Sequence, residues 1–406
     1  MANVYPFAAV SALGENAPRV ATLPYDVMNR AEAAKMAAGN PYSFLKVTRS
    51  EIDLPDSVDP YDPVVYEKAA HNWKSLKSSV LTTDDQPAFY VYSLVMNGRR
   101  QTGVVAAASV DDYDNNIIRK HEKTRKEKED DRTRHITALR AQTGPVFLTY
   151  KDSDAIDDIV EKTMKTVPIF DFTAEDGITH TGWRVADELT LALQGAFAAV
   201  PLLYIADGHH RAASASRTQA ALKAAGTDTP ESAHFLSVIF PAGQLKILAY
   251  NRVVFDLNSL SEEQFFARLS TAVESVSPSE SAEPSQPGQA CMFFQNKWWN
   301  IVFKPTDTTA GPVDKLDVSR LQNDVLAPIL GIDDPRTSKK IDFVGGIRGT
   351  KELEKRVLSG EAKVAFSMYP TSLDELMDIA DDNAIMPPKS TWFEPKLRDG
   401  LFVHEI

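Results

Sequence analysis

One junction constrains this chain more than any other. Residues 201–206 form a short apolar run, Asp207-Gly208 supplies a turn, and residues 209–225 are Ala-rich with helical character up to Gly226. A strand must therefore hand over to a helix within two residues. The first helical turn carries His209, His210 and Arg211. The free N–H groups and the dipole of a helix N-terminus already attract anions. Basic side chains there oppose the dipole, so a sequence tuned only for helix stability would avoid them. Arg211 offers a planar fork suited to phosphate oxygens, and histidines can donate or exchange a proton near neutral pH. The reading is an anion site, with Asp207, Gly208, His210 and Arg211 as phosphate or nucleotide contacts and His209 as a candidate catalytic group. A pocket-facing Arg211 is expected to serve ligand contacts and to contribute little to stability. The plain structural alternative is an Asp207 cap paired with Arg211 and surface histidines.

The rest of the chain mixes both element types. Asn97-Gly98 is a strong hairpin dipeptide between apolar runs at 88–95 and 102–110. Strands are also expected at 42–47, 146–150 and 364–369, and as a pair, 235–240 with 245–255, around Gly243. Helices are expected at 30–38, 66–76 and 318–330, and capping boxes begin at Ser261 and Ser372. The fold class is α+β, or mixed α/β. With 406 residues the chain exceeds one core. The expected division is an anion-site domain over 1–255 and an α+β region over 256–406 whose end is able to return to the site. Residues 277–289 hold four Ser and three Pro and read as a loop or linker.

Composition excludes several classes. Lys plus Arg total 44 against 56 Asp plus Glu, a net charge of −12, so no general nucleic-acid binder is expected. The single Cys291 cannot close an internal disulfide or build a Cys-based metal site. No apolar run approaches the roughly 18 residues of a membrane span. The N-terminus lacks a basic, signal-like start, and the cytoplasm is the expected location.

Residues 119–135 are almost wholly charged, with eight Lys/Arg and five Asp/Glu, and read as a solvated helix laced with ion pairs. Within them Glu122 stands among five basic side chains and is the leading candidate for a general base, with Asp26 as the other. Adjacent positions on a helix point about 100° apart, so Asp207, His209 and His210 do not suit one shared ion, and no metal held by protein alone is expected. Lys389-Ser390-Thr391 resembles the end of a phosphate loop but lacks its glycines. These three residues, with Lys396 nearby, remain candidate phosphate contacts. The glycines at 345, 346 and 349 do not fit a dinucleotide fingerprint, and no Gly-x-Ser-x-Gly elbow is present.

Five ordered motifs resemble one large bacterial and archaeal family, catalogued as a domain of unknown function and sometimes labelled ParB-like. They are Pro24-Tyr25-Asp26-Val27, Asn40-Pro41-Tyr42-Ser43-Phe44-Leu45, residues 119–124, Asp207-Gly208-His209-His210-Arg211 and Met386-Pro387-Pro388-Lys389-Ser390-Thr391. The Asp207–Arg211 segment is similar to the phosphate-holding loop of the ParB, sulfiredoxin and free-serine-kinase superfamily, with Ser214 where that loop usually has Ala. His209 takes the place of the reactive Cys of sulfiredoxins, which excludes sulfinic-acid reduction. The resemblance implies a ParB/sulfiredoxin-like core, ATP or ADP as nucleotide, Mg²⁺ carried with it, and transfer of phosphate to a small metabolite such as serine. Phosphoester hydrolysis and nucleotide binding without turnover remain the alternatives.

Overall fold

The computed structural model describes residues 1–307 and 309–406. The chain divides into two compact units. Unit 1 comprises residues 1–245 together with 395–406, and unit 2 comprises residues 246–394. The architecture is mixed α/β in both.

Unit 1 is built on a nine-stranded sheet. Its strands are β1 (Val4–Tyr5), β2 (Tyr90–Met96), β3 (Arg99–Ser109), β4 (Ile118–Arg119), β5 (Val146–Tyr150), β6 (Phe170–Thr173), β7 (Thr179–Arg184), β8 (Leu203–Asp207) and β9 (His234–Pro241). They run in the order β4-β8-β5-β9-β3-β2-β7-β6, with β1 added on β3. β5 is buried along its whole length, which is why its sequence, Val-Phe-Leu-Thr-Tyr, does not alternate. The β2–β3 hairpin turns through Asn97 and Gly98, both at positive φ, as its dipeptide requires.

The expected pairing of 235–240 with 245–255 does not occur. Both edges of β9 are taken, by β3 on one side and β5 on the other. The strand Tyr250–Val254 pairs instead with Ile341–Gly345 and Val364–Met368 in unit 2. Nor is 42–47 a strand, since Leu45–Thr48 forms a short helix with Leu45 buried on Ala33 and Ala37. Residues 275–278, at the edge of the expected loop, are a strand paired with Lys297–Val302.

Three helices matter for the site: α1 (Pro63–Ser79), α2 (Lys126–Leu139) and α3 (His209–Ala225). The charged segment does not form one solvated helix. Residues 120–125 are irregular, and α2 begins only at Lys126. One face of α2 is buried. Asp131 accepts hydrogen bonds from the Tyr66 hydroxyl at 2.9 Å and from Arg132 Nε at 2.9 Å, and the Arg132 guanidinium lies 4.1 Å from the Tyr25 ring centre. Small residues on α3 let α2 approach closely. Ser214 is fully buried, and its hydroxyl donates to the Glu129 carbonyl at 3.2 Å. The last residues of the chain return to unit 1, where Phe402–Glu405 pairs with Val10–Ser11 and Ala141–Gln142. Among the described residues no helix is long and apolar enough to cross a membrane.

The buried and open faces of α2 should respond differently to truncation. Asp131→Ala leaves the buried Arg132 charge without its partner and is expected to cost about 3 kcal/mol, while the exposed Glu127→Ala should change stability by about 0.5 kcal/mol or less. Urea midpoints of the two variants check this, and equal small effects would restore the solvated-helix reading.

Candidate functional site

The site assembles where β8 ends and α3 begins. Gly208 takes φ +93°, a conformation that side-chain-bearing residues avoid, and this turns the chain from strand to helix in one residue. Asp207 is held from two directions. Its Oδ1 accepts the Gly208 N–H at 2.8 Å, and its Oδ2 accepts from Lys396 Nζ at 2.8 Å. Burial opposes the carboxylate charge, but Lys396, Arg211 and the Gly208 N–H outweigh it and hold Asp207 well below the usual carboxylate range.

Arg211 is mostly buried, with 13% of its side chain exposed. Its Nη1 donates to the Pro145 carbonyl at 2.9 Å and to Asp399 Oδ1 at 3.2 Å. Beyond the ligand contacts expected of it, Arg211 therefore pins the returning C-terminal segment, so its contribution to stability is larger than the sequence suggests. Burial disfavours its charge, and Asp399, Asp26, Tyr25 and Asp207 more than restore it, so its pKa is raised. Asp399 is 1% exposed, its Oδ2 has no hydrogen-bond partner among the described residues, and burial pushes its carboxyl up to about 6 despite Arg211. Gly144 is what allows this approach. A Cβ there would lie 2.6 Å from Arg211 Nη1 and 2.7 Å from Asp399 Oδ1.

The two histidines do not act as cations. The Arg125 N–H donates to His210 Nε2 at 3.0 Å, and the His121 N–H approaches His209 Nε2 at 3.5 Å. Nitrogens that accept must be unprotonated. Burial also pushes His209 down to about 4 and lowers His210. The rings thus fasten residues 121–125 to the start of α3. His209 Nδ1 lies 3.6 Å from Glu122 Oε2, and the Glu122 side chain is about half exposed (46%). Sequence separation of 85 to 88 residues is bridged by these contacts.

A small cavity of about 20 Å³ gathers Asp26, Asp207, Gly208, Arg211 and Lys396. Asp26 reaches it from the 3₁₀ turn Tyr25–Val27, which Arg49 secures by donating to the carbonyls of Tyr25 and Met28 at 2.9 Å each. On the far side of Arg211 and Asp399 a second cavity of about 30 Å³, lined also by Tyr25, Arg132 and Gln142, is large enough for a water. Among the described residues no group of three or more His, Cys, Asp or Glu side chains is placed to hold a metal ion.

Unit 1 therefore brings together Asp26, Glu122, Asp207, Gly208, His209, His210 and Arg211. Lys389, Ser390 and Thr391 belong to unit 2. There Ser390 Oγ donates to the Pro387 carbonyl at 2.7 Å, Thr391 is half-buried, and Lys389 is exposed. Sequence reasoning missed Asp399, and it named Lys396 only beside Lys389 as a side chain able to close over an anionic ligand, without its pairing to Asp207. Their only sequence signal is position a few residues after the Lys389 motif.

Gly144→Ala should displace the Arg211–Asp399 pair and cost about 2–3 kcal/mol, read as a lowered urea midpoint. A wild-type midpoint would mean that the cradle is slack. A pH effect follows from the buried imidazoles. Burial lowers His121 and His180 to about 3 and His135 and His209 to about 4, against 6.5 unfolded. Each stabilises the fold above pH 6.5, and that stability is lost as pH falls towards the folded values. Asp399 and Asp317, each raised from 3.8 to about 6 by burial, act in the opposite direction between those values. The four imidazoles outweigh these two carboxyls, so the urea midpoint should be lower at pH 5 than at pH 7. His135→Gln should narrow the difference, and an unchanged midpoint at pH 5 would refute neutral burial.

Three solved structures resemble the chain. A conserved hypothetical protein from Pyrococcus furiosus is 16% identical, with TM-score 0.35, over 73% of this chain and 93% of that one. A free serine kinase in complex with AMP is 14% identical, with TM-score 0.36, over 74% and 92%. A C-terminally truncated SbnI from Staphylococcus aureus is 12% identical, with TM-score 0.38, over 73% and 85%. No curated relative matches. The model of the family of proteins of unknown function DUF1015 matches residues 4–319, and the chain belongs to that family.

Proposed function

We propose that unit 1 is a nucleotide-dependent phosphotransferase acting on a hydroxyl of a small metabolite, with L-serine as the first acceptor to test. The observation that carries this reading is the meeting of Asp26, Asp207, Arg211 and Lys396 around one cavity at the N-terminus of α3, with Glu122 held on His209 beside it. Phosphate chemistry needs donors and positive charge around the transferring group and one carboxylate for the incoming hydroxyl. The N–H groups of His209 and His210 at the start of α3 and the remaining guanidinium donors of Arg211 supply the former, the Arg211 N–H being taken by the Gly208 carbonyl. Lys396 adds a second cation, at present paired with Asp207.

The cavity is too small for a nucleotide, so only a phosphate oxygen would reach in and the rest of the ligand would lie outside. Mg²⁺ would arrive with the nucleotide, and Asp26 is an exposed carboxylate that lines the same cavity and is not paired with Lys396 as Asp207 is. In the transfer, the acceptor oxygen forms a bond to the terminal phosphorus as the bond from phosphorus to the leaving nucleotide oxygen breaks. The hydroxyl proton passes to Glu122. His209, buried and neutral, orients that carboxylate and holds residues 121–125 in place. The ParB/sulfiredoxin-like loop resemblance supports the same assignment.

Glu122→Gln keeps the shape and removes the base. With ATP or ADP and L-serine, turnover should fall by roughly 10²–10⁴ while nucleotide-induced thermal shifts stay near wild type. Lys396→Met should instead weaken the nucleotide-induced shift. Unchanged turnover in Glu122→Gln would move the base role to Asp26. Phosphate release from phosphoserine without nucleotide would make the protein a hydrolase, and nucleotide shifts without any product would make it a binding protein.

A further inference from the structure

Unit 2 is built on a six-stranded antiparallel sheet in which Tyr250–Val254 lies between Val364–Met368 and Ile341–Gly345. Val253 points into the core with Cys291, Phe293 and Val344. Alternation places Tyr250 and Arg252 on the opposite face, across from Gly345 and Phe343. Arg252 is 3% exposed, in the middle of a sheet, where an apolar residue would be the stable choice.

Buried guanidinium groups are ordinarily matched by a carboxylate. Arg252 has none within 4 Å among the described residues, and its partners are two neutral carbonyls. One belongs to Tyr250, in its own strand. The other belongs to Lys389, at 3.2 Å. Burial lowers the Arg252 pKa to about 10, with only the Tyr250 phenol acting against it. The carbonyl of Lys389 is presented by an unusual backbone, since Lys389 takes φ +57°, a left-handed conformation that costs a lysine about 1 kcal/mol. The Lys389 ammonium, outside any carboxylate pair among the described residues, lies 5.2 Å from the Tyr250 ring centre. Two cations thus share one ring system, made of Tyr250, Phe343 and Trp392, with centroid separations of 6.0 Å from Tyr250 to Phe343 and 5.1 Å from Tyr250 to Trp392. Gly345 lies under Trp392, with room for no side chain there.

We propose that unit 2 carries a separate anion site at Arg252 and Lys389 that takes a phosphate group, free or as a monoester. The incoming oxygens would take over the weak contact to the Lys389 carbonyl, give Arg252 its missing counter-charge and draw the Lys389 ammonium from the Tyr250 ring. A planar fork beside a flexible ammonium suits a tetrahedral anion. This site does not depend on the phosphotransferase reading of unit 1.

Equilibrium dialysis of the full chain against inorganic phosphate tests it, with phosphoserine as a second arm to separate free phosphate from a monoester. Arg252→Met and Lys389→Met should each weaken one class of phosphate binding by about tenfold or more, while Lys396→Met leaves that class intact. If unit 1 also binds phosphate, the wild type shows two classes and each variant removes its own. If the unit 1 reading fails, the wild type shows one class, and it is still lost in Arg252→Met. Melting curves separate a structural role. In phosphate-free buffer Arg252→Met should melt at or above the wild-type temperature, because a buried unmatched charge is removed. Phosphate binding unchanged in both unit 2 variants, or an Arg252→Met protein that melts lower and binds phosphate as wild type, would overturn the proposal.

Discussion

A buried guanidinium must find a counter-charge, and in unit 1 that requirement ties distant segments together. Arg211 leaves the start of α3, passes over Gly144 and reaches the Pro145 carbonyl and Asp399. Without Asp399 the charge would stand in a low-dielectric interior. The pairing therefore brings residues 395–406 back across the sheet. That return in turn supplies Lys396 to Asp207 and the strand Phe402–Glu405 to its small sheet. The ion pair is one of several ties that join the last dozen residues to the first 245, beside Lys77 with Glu405, Arg398 with His180 and Phe402 packed on Tyr90.

The same constraint sets the electrostatics of the cavity. Asp207 and Lys396 are matched, as are Arg211 and Asp399, so a ligand does not meet naked charges. In the proposed reading an incoming anion would compete with Asp207 for Lys396 and add to the open edge of Arg211. Asp399 stays behind Arg211 and keeps its direction. Because its carboxyl is pushed up to about 6, the clamp is firmest above that pH, where Asp399 is ionised.

Legibility in the sequence followed the range of the interactions. Asp207-Gly208 could be read as a strand-to-helix turn because its signal lies within two residues and only glycine accepts φ +93° there. The capping boxes at Ser261 and Ser372 are likewise local, and both are formed. The Asn97-Gly98 turn belongs to the same class. Asp399 was invisible because its partner is 188 residues away and no periodicity marks a counter-ion. The pairing of 235–240 with 245–255 failed for a related reason. Adjacency suggests a hairpin, but competition for the edges of β9 is settled by strands from 99–109 and 146–150. In residues 119–135 composition suggested a solvated helix. It could not show that Asp131, Arg132 and Tyr66 satisfy one another beneath the surface.

The first turn of α3 posed a puzzle in sequence, since three basic side chains appeared to oppose the helix dipole. The structure removes the conflict by two separate means. His209 and His210 are neutral and accept N–H groups from residues 121 and 125, which places acceptors and not cations at the positive end. Arg211 directs its charge away from the turn, onto Pro145 and Asp399. The helix N-terminus therefore keeps its own positive potential, undiminished by repulsion and unfilled by a capping side chain, because Gly208 has none to offer. Asp207 is spent on Lys396 and on the single N–H of Gly208. A site arranged for helix stability alone would have used that carboxylate on the N–H groups further along. The Arg211 N–H donates to the Gly208 carbonyl at 2.9 Å, so it is the N–H groups of His209 and His210 that are left to favour an anion from outside the chain.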